Sequence, residues 1–286
     1  GETITYRDLD ERSNRCAQMF RTYGLKPGDG IALMLENSPR FFEICWGAER
    51  AGLYYTAISS RLTAGEAAYI VQDCGARIFI TSRYMATVAE ALAAMLPARV
   101  EHRLMLDGAL PGYQPYEAAV AVMPATSIAD QTSGIDMLYS SGTTGRPKGV
   151  KRQLTGKPIE EATPLLLLTR ALYGFDANTV YLSPAPLYHA APLRYNMTVT
   201  RLGGTSVVMD RFDPEDALRL IERYRITHSQ WVPTMFVRML KLPEAVRSRY
   251  DLSTLKVAIH AAAPCPVQVK QQMIEWWGPV LYEYYG

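Results

Sequence analysis

Short apolar runs and amphipathic stretches take turns along almost the whole chain, and that alternation limits the fold more than any other feature. Thr5 with Asp8 makes a box-like helix start, Leu9, Cys16, Ala17 and Phe20 share one helical face, and Gly24 follows as a stop. Pro27-Gly28-Asp29 then turns the chain into an apolar run at 31–35. The pattern repeats: a helix from Ser38-Pro39, a strand at 54–58, a helix capped by Thr63 and Glu66, a strand at 78–80, a helix at 85–96 and a strand at 103–106. Residues 108–133 are loop-rich, with room for one short helix. Later strands are expected at 180–182, 205–209, 227–232, 255–260 and 280–285. The helices between them are expected at 160–173 (kinked or restarted by Pro164), 193–202, 214–224 after Asp213, beyond Pro233 and Pro243, and at 267–277. Strands and helices alternating at this rate predict an α/β fold of parallel β-sheets layered with α-helices. In such sheets ligands sit beyond the carboxyl ends of the strands.

One such end is chemically distinctive. The apolar run 135–139 reads as a strand, and residues 138–150 read Leu-Tyr-Ser-Ser-Gly-Thr-Thr-Gly-Arg-Pro-Lys-Gly-Val. Hydroxyls (Ser140, Ser141, Thr143, Thr144), glycines (Gly142, Gly145, Gly149) and a single ammonium (Lys148) suit a polyphosphate. Glycine lets several backbone N–H groups approach one anion, hydroxyls donate to phosphate oxygens or ligate Mg²⁺, and lysine adds a point charge. The common P-loop is excluded, because Gly142 and Gly145 are too close and Pro147 interrupts the run to the lysine. A flexible Ser/Gly/Thr linker has similar composition but needs neither this order nor a preceding strand.

Residues 139–149, Tyr-Ser-Ser-Gly-Thr-Thr-Gly-Arg-Pro-Lys-Gly, resemble the phosphate-loop signature of the adenylate-forming superfamily, which includes acyl-CoA synthetases, luciferases and peptide-synthetase adenylation domains. The resemblance implies that Ser140, Ser141, Gly142, Thr143, Thr144, Gly145 and Lys148 bind the β- and γ-phosphates of ATP, with Thr144 also at Mg²⁺. Pro184 to Pro192 resembles a second marker, in which Tyr188 and His189 lie beside the acyl carboxylate or gate a thiol tunnel; by itself a lone His in an apolar loop is more often structural. Ala261-Ala262-Ala263-Pro264-Cys265-Pro266 is similar to a segment that lines the adenine and acyl pockets, with Ala261 where glycine is usual. A tight strand-to-helix turn reads from composition nearly as well. Tyr282 to Gly286 resembles the adenine-stacking segment. Together these imply adenine contacts from Ala262, Ala263, Pro264, Glu283, Tyr284, Tyr285 and Gly286, and an acyl site from Tyr188, His189, Trp231 and Ala261. The resemblance runs from the opening Ile4 to Leu9 through Gly286, and the family's Thr-Glu pair, ribose-binding aspartate, hinge and catalytic lysine would lie downstream. The chain is therefore expected to be a truncated large N-terminal domain spanning 1–286, with subdomains about 1–180 and 181–286, the small C-terminal domain absent, no main catalytic lysine and no complete reaction of its own.

The implied function is ATP-dependent activation of a carboxylic acid to acyl-AMP and then acyl-CoA, with ATP, Mg²⁺ and CoA required. Trp276-Trp277-Gly278-Pro279 and the 261–266 segment look closer to acyl-CoA synthetases than to peptide-synthetase domains. Carrier-protein loading, or an inactive AMP- or acyl-binding module, is the alternative. The acyl-site segments offer no Asp or Arg for an α-ammonium, so a fatty or other apolar acid is expected. A chain of 286 residues can bury about three quarters of its unfolded surface, enough for a sizeable core. A net charge of +2 is too balanced to argue for nucleic acid or an anionic membrane surface, and no nucleic-acid partner is expected. The densest aliphatic run, 165–168, is far too short to span a bilayer, so no integral membrane segment is expected. Cys16, Cys45, Cys74 and Cys265 have no metal-ligand spacing, and without a signal pattern at the N-terminus the expected compartment is the cytoplasm.

Overall fold

A computed structural model gives the fold and describes residues 1–140 and 146–285, the side chain of Ser140 excepted. Contacts divide the chain into two units, one of residues 1–161 with 187–190, the other of 162–186 with 191–286. The residues on either side of the boundary expected near 180, in a helix (Pro164–Tyr173) and a strand (Val180–Ser183), both belong to the second unit.

In the first unit, strands β1 (Gly30–Met34), β2 (Tyr54–Ala57), β3 (Ala76–Ser82), β4 (His102–Leu106), β5 (Gln114–Pro115) and β6 (Ile135–Asp136) form one sheet in the order β5-β4-β3-β1-β2-β6. Every pairing in it is parallel. Strands buried on both faces should read as continuous apolar runs, and Ile31 to Met34 and Ile78 to Ile80 are all at most 1% exposed. Helices α1 (Tyr6–Thr22), α2 (Pro39–Arg50), α3 (Ala64–Asp73), α4 (Ala86–Ala93) and α5 (Tyr116–Ala121) supply the crossovers. Both predicted capping boxes form: Thr5 and Asp8 start α1, and Thr63 and Glu66 start α3, each side chain meeting the other's backbone N–H.

The run at 135–139 does not form the single strand expected of it. Gly134 passes so close to α2 and β2 that a Cβ would meet the Ala48 and Leu53 carbonyl oxygens at 2.6 Å. Beyond it Ile135 and Asp136 join the parallel sheet, and the chain then leaves the sheet at Met137. Leu138–Ser140 (β7) pairs antiparallel with Lys148–Val150 (β8) as a separate two-stranded ribbon. The loop therefore follows a strand of the antiparallel ribbon, β7, and not one of the main parallel sheet. Period and composition could not show this, because the pairing partner of 138–140 lies beyond a proline and two glycines.

The second unit holds strands β9 (Val180–Ser183), β10 (Thr205–Val208), β11 (His228–Trp231), β12 (Val257–His260) and β13 (Leu281–Glu283), in the order β10-β9-β11-β12-β13 and again all parallel. Its helices are α6 (Pro164–Tyr173), α7 (Ala190–Arg201), α8 (Pro214–Tyr224), α9 (Pro233–Leu240), α10 (Glu244–Arg247) and α11 (Val267–Trp277). Proline opens α6, α8 and α9, where its missing N–H costs nothing, and Pro164 starts α6 afresh instead of kinking a longer helix. Trp231, Phe236, Met239, Met273 and Trp277 pack one face of this sheet; Tyr173, Phe175, Tyr181 and Tyr195 pack a second cluster. No helix among the described residues is long and apolar enough to cross a membrane.

Candidate functional site

The hairpin that carries the phosphate-loop sequence is held from below by helix α3. Tyr139 donates its hydroxyl proton to Asp73 at 2.5 Å, and Tyr69 donates to the Pro147 carbonyl at 3.3 Å. The Arg146 guanidinium lies over the Tyr69 ring at 5.1 Å. Burial, reinforced by the bond to Asp73, pushes the Tyr139 phenol well above its ordinary value, so it stays a hydrogen-bond donor at any physiological pH. Gly149 lies opposite Tyr139 in the ladder, and a Cβ there would strike the Tyr139 ring and the Met137 methyl at 2.7 Å. Lys148 pairs with Ser140 across the ribbon and is exposed, leaving its ammonium in solvent. Ser141, Gly142, Thr143, Thr144 and Gly145 lie outside the described residues, as does Gly286.

The same unit holds the Tyr-His pair. The Leu187 N–H donates to the Asn37 side chain at 2.8 Å, fixing the segment just past the end of β1. Tyr188 is half-buried with its ring 4.5 Å from that of His189, and His189 is exposed. Crowding by the surrounding protein, and then the charge of Arg61, hold the His189 imidazole below its ordinary value. It is thus neutral near pH 7, able to accept one proton and donate another.

In the second unit, three segments that resembled the family meet along one edge. Trp231 is in register with His260, and His260 with Glu283, so the last residues of β11, β12 and β13 stand side by side on one face. The backbone continues the contact: Ala261 N–H donates to the Trp231 carbonyl at 3.4 Å and Tyr284 N–H to that of His260 at 3.3 Å. The structure places Trp231 in the core, 1% exposed, with its indole N–H donating to Ser229 at 2.7 Å. Ala261 is buried as well, whereas Ala262, Ala263 and Pro264 are exposed. Ala262, not Ala261, takes the left-handed conformation, at φ +74°. Tyr285 is fully exposed, leaving a whole aromatic face to a ligand. Tyr284 is half-buried, stacked at 6.4 Å on Tyr195, and its hydroxyl accepts from Gln230 at 3.3 Å.

Several groups at these edges carry no signal in the sequence. His260 is fully buried at the end of β12 with neither ring nitrogen hydrogen-bonded among the described residues. Burial holds its imidazole below the ordinary value against the pull of the Glu283 carboxylate. Lys270 reaches Glu283 from the first turn of α11. Asp73 and Tyr69 brace the hairpin from a helix 66 to 78 residues away in sequence. Only the spacing Tyr69…Asp73, one turn apart on a predicted helix, could have flagged a shared face. No cluster of His, Cys, Asp and Glu able to hold a metal occurs among the described residues, and the one assigned Mg²⁺ contact, Thr144, is not among them.

A family model for AMP-binding enzymes matches residues 1–286. The medium/long-chain-fatty-acid–CoA ligase FadD8 of Mycobacterium tuberculosis (strain ATCC 25618 / H37Rv) is 29% identical over 303 residues, taking in 100% of this chain and 50% of that protein. Feruloyl-CoA synthase of an Amycolatopsis species is 31% identical over 280 residues, 96% of this chain and 52% of that one. Among solved structures, the inhibitor-bound N-terminal domain of FACL13 from Mycobacterium tuberculosis matches with a TM-score of 0.84 at 25% identity, covering 99% of this chain and 68% of that one. The chain spans about half the length of the curated relatives it matches.

Proposed function

The chain belongs to the AMP-binding enzyme family, and from that premise we propose that the whole protein activates an apolar carboxylic acid, first as acyl-AMP and then as acyl-CoA. The observation that carries this reading is the ordered hydroxyl–glycine–lysine sequence 140–148 set in a hairpin that α3 braces. ATP, as co-substrate, supplies an α-phosphate open to attack by the carboxylate and pyrophosphate as leaving group. The chain's own part is positioning and charge neutralisation, which is most of what phosphoryl and nucleotidyl transfer asks of a protein.

In this reading the loop N–H groups and the hydroxyls of Ser140, Ser141, Thr143 and Thr144 hold the β- and γ-phosphates, Thr144 adds a ligand for Mg²⁺, and Lys148 places a full charge beside them. Ala262, Ala263 and Pro264 present a small-residue surface to a flat base, and the free ring of Tyr285 stacks on it. Neutral His189, with Tyr188 beside it, orients the acyl carboxylate or the incoming thiol. Trp231 shapes the acyl wall from behind, as a core residue, through the backbone that Ala261 shares with it.

Two relatives, a fatty-acid–CoA ligase and a feruloyl-CoA synthase, support an apolar acid without choosing between aliphatic and aromatic chains. The absence of Asp and Arg from the acyl-site residues supports the same class, since an α-ammonium buried without a partner costs several kcal/mol, on the order of 3–5. The test is competition among hexanoate, a long-chain fatty acid, benzoate and a free amino acid in a CoA-thioester assay of the whole protein. Preference for one of the three apolar acids is expected. Preference for the amino acid, or transfer to a carrier protein in place of CoA, would overturn the proposal.

A further inference from the structure

The resemblance casts Glu283 as a direct adenine contact, but its side chain is committed elsewhere. Its carboxylate accepts from the Lys270 ammonium on α11, just past the turn between β12 and α11. Its other oxygen faces His260 Nδ1 at 3.8 Å from the neighbouring strand. One carboxylate thus bridges the two ends of the turn, the end of β12 before it and the first turn of α11 after it, while its own backbone ends β13. The turn it holds is not at rest: Ala262 sits at φ +74° without being glycine, and Ala262, Ala263 and Pro264 are exposed. A conformation of this kind persists only where the surroundings over-determine it, and the Glu283 carboxylate bridges the turn's two ends, His260 before it and Lys270 after it.

The buried imidazole of His260 sharpens the case. It is fully enclosed against Phe236, with ring centroids 5.5 Å apart, and both nitrogens lack hydrogen bonds among the described residues. A buried polar group in that condition is uncommon, and the same carboxylate faces its Nδ1. We propose that Glu283 is a positioning residue for nucleotide binding: together with His260 and Lys270 it clamps the Ala261–Pro266 turn in the shape that receives the base, without itself touching the base. The ligand in this statement rests on the activity proposed above; the clamp does not.

Hydrogen exchange of peptides covering 261–270, in the ligand-free protein, reads the clamp directly. Glu283→Ala is expected to speed exchange in these peptides about tenfold or more, with peptides from β1 and β3 unchanged. Glu283→Gln, which keeps an oxygen acceptor for Lys270 but loses the negative charge facing it, should fall in between. Lys270→Met removes one contact while leaving Glu283 in place, and should give a smaller acceleration confined to the same peptides; it serves if Glu283→Ala does not fold. In parallel, the dissociation constant for AMP, measured by calorimetry, should weaken about tenfold in Glu283→Ala and less in Glu283→Gln. Unchanged exchange in both Glu283→Ala and Lys270→Met would overturn the clamp. Weaker AMP binding with unchanged free-state exchange would make Glu283 a direct contact and also overturn the proposal, as would faster exchange with unchanged AMP affinity. Absence of AMP binding by the unsubstituted protein would instead remove the proposed nucleotide activity and this role with it, while the exchange data would still decide whether the turn is clamped.

Discussion

The two candidate edges are built in opposite ways. In the first unit the loop sequence sits on a two-stranded antiparallel ribbon outside the main sheet, braced by the contacts Tyr139–Asp73, Tyr69–Pro147 and Arg146–Tyr69. In the second, the adenine-type segments continue from the ends of three neighbouring strands of a parallel sheet, fixed by register and by a core of large aromatic side chains. Side-chain braces can be lost one at a time, whereas a strand ladder fails with its core. The comparison teaches that a strained turn is tolerated where a rigid sheet supports it, and that a glycine-rich loop can be mounted where only a few side chains set its angle.

The sharpest way to break the comparison is to attack the sheet edge through its core. Trp231→Ala removes a side chain that is 1% exposed and packed on Phe212, Phe236 and Trp277. It should cost about 3–5 kcal/mol by denaturant unfolding, whereas Tyr285→Ala should leave stability within about 0.5 kcal/mol. A small loss for Trp231→Ala would mean that this indole lines an open pocket and not the core. The ribbon should respond to gentler change. Tyr139→Phe deletes the hydroxyl bond to Asp73 and leaves a carboxylate that water can reach, so a loss of about 0.5–1.5 kcal/mol is expected in the same assay. No loss would remove Asp73 as a brace.

The smallest effect should have the opposite sign. Ala262→Gly relieves a left-handed alanine and should stabilise the fold, by up to about 1 kcal/mol after the entropy that glycine adds to the unfolded chain. Destabilisation would show that the alanine methyl makes a contact worth more than the strain.

How much of this was legible beforehand follows from which interactions are local. Thr5 with Asp8, Thr63 with Glu66, and Asp213 ahead of Pro214 signal helix starts within four residues, and all three form. The buried strands at 31–34 and 78–80 read as apolar runs because both their faces are covered. The ribbon was not legible, because what takes 138–140 away from 135–136 is a partner across the loop and the tight passage of Gly134 between α2 and β2. In the second unit, the motif segments around Trp231, 261–264 and 282–285 could be chosen by resemblance, but not the sharing of Glu283 between Lys270 and His260. That sharing depends on strand register, and a shift of one residue would turn Glu283 to the other face. The strain fell on Ala262 although the sequence drew attention to Ala261, since the φ of a turn residue depends on the path of its neighbours as much as on its own type.

The central claim is that the loop sequence on the ribbon binds the polyphosphate of ATP while an apolar acid is activated. It is tested most directly by carboxylate-dependent pyrophosphate release from the whole protein, with and without Thr144→Ala, each variant checked for an unchanged unfolding transition. The account predicts release that requires an apolar acid, and a drop of about a hundredfold or more in the variant, as for loss of one donor at a developing charge. Near-wild-type release from a folded Thr144→Ala protein would contradict it and take the loop out of the mechanism.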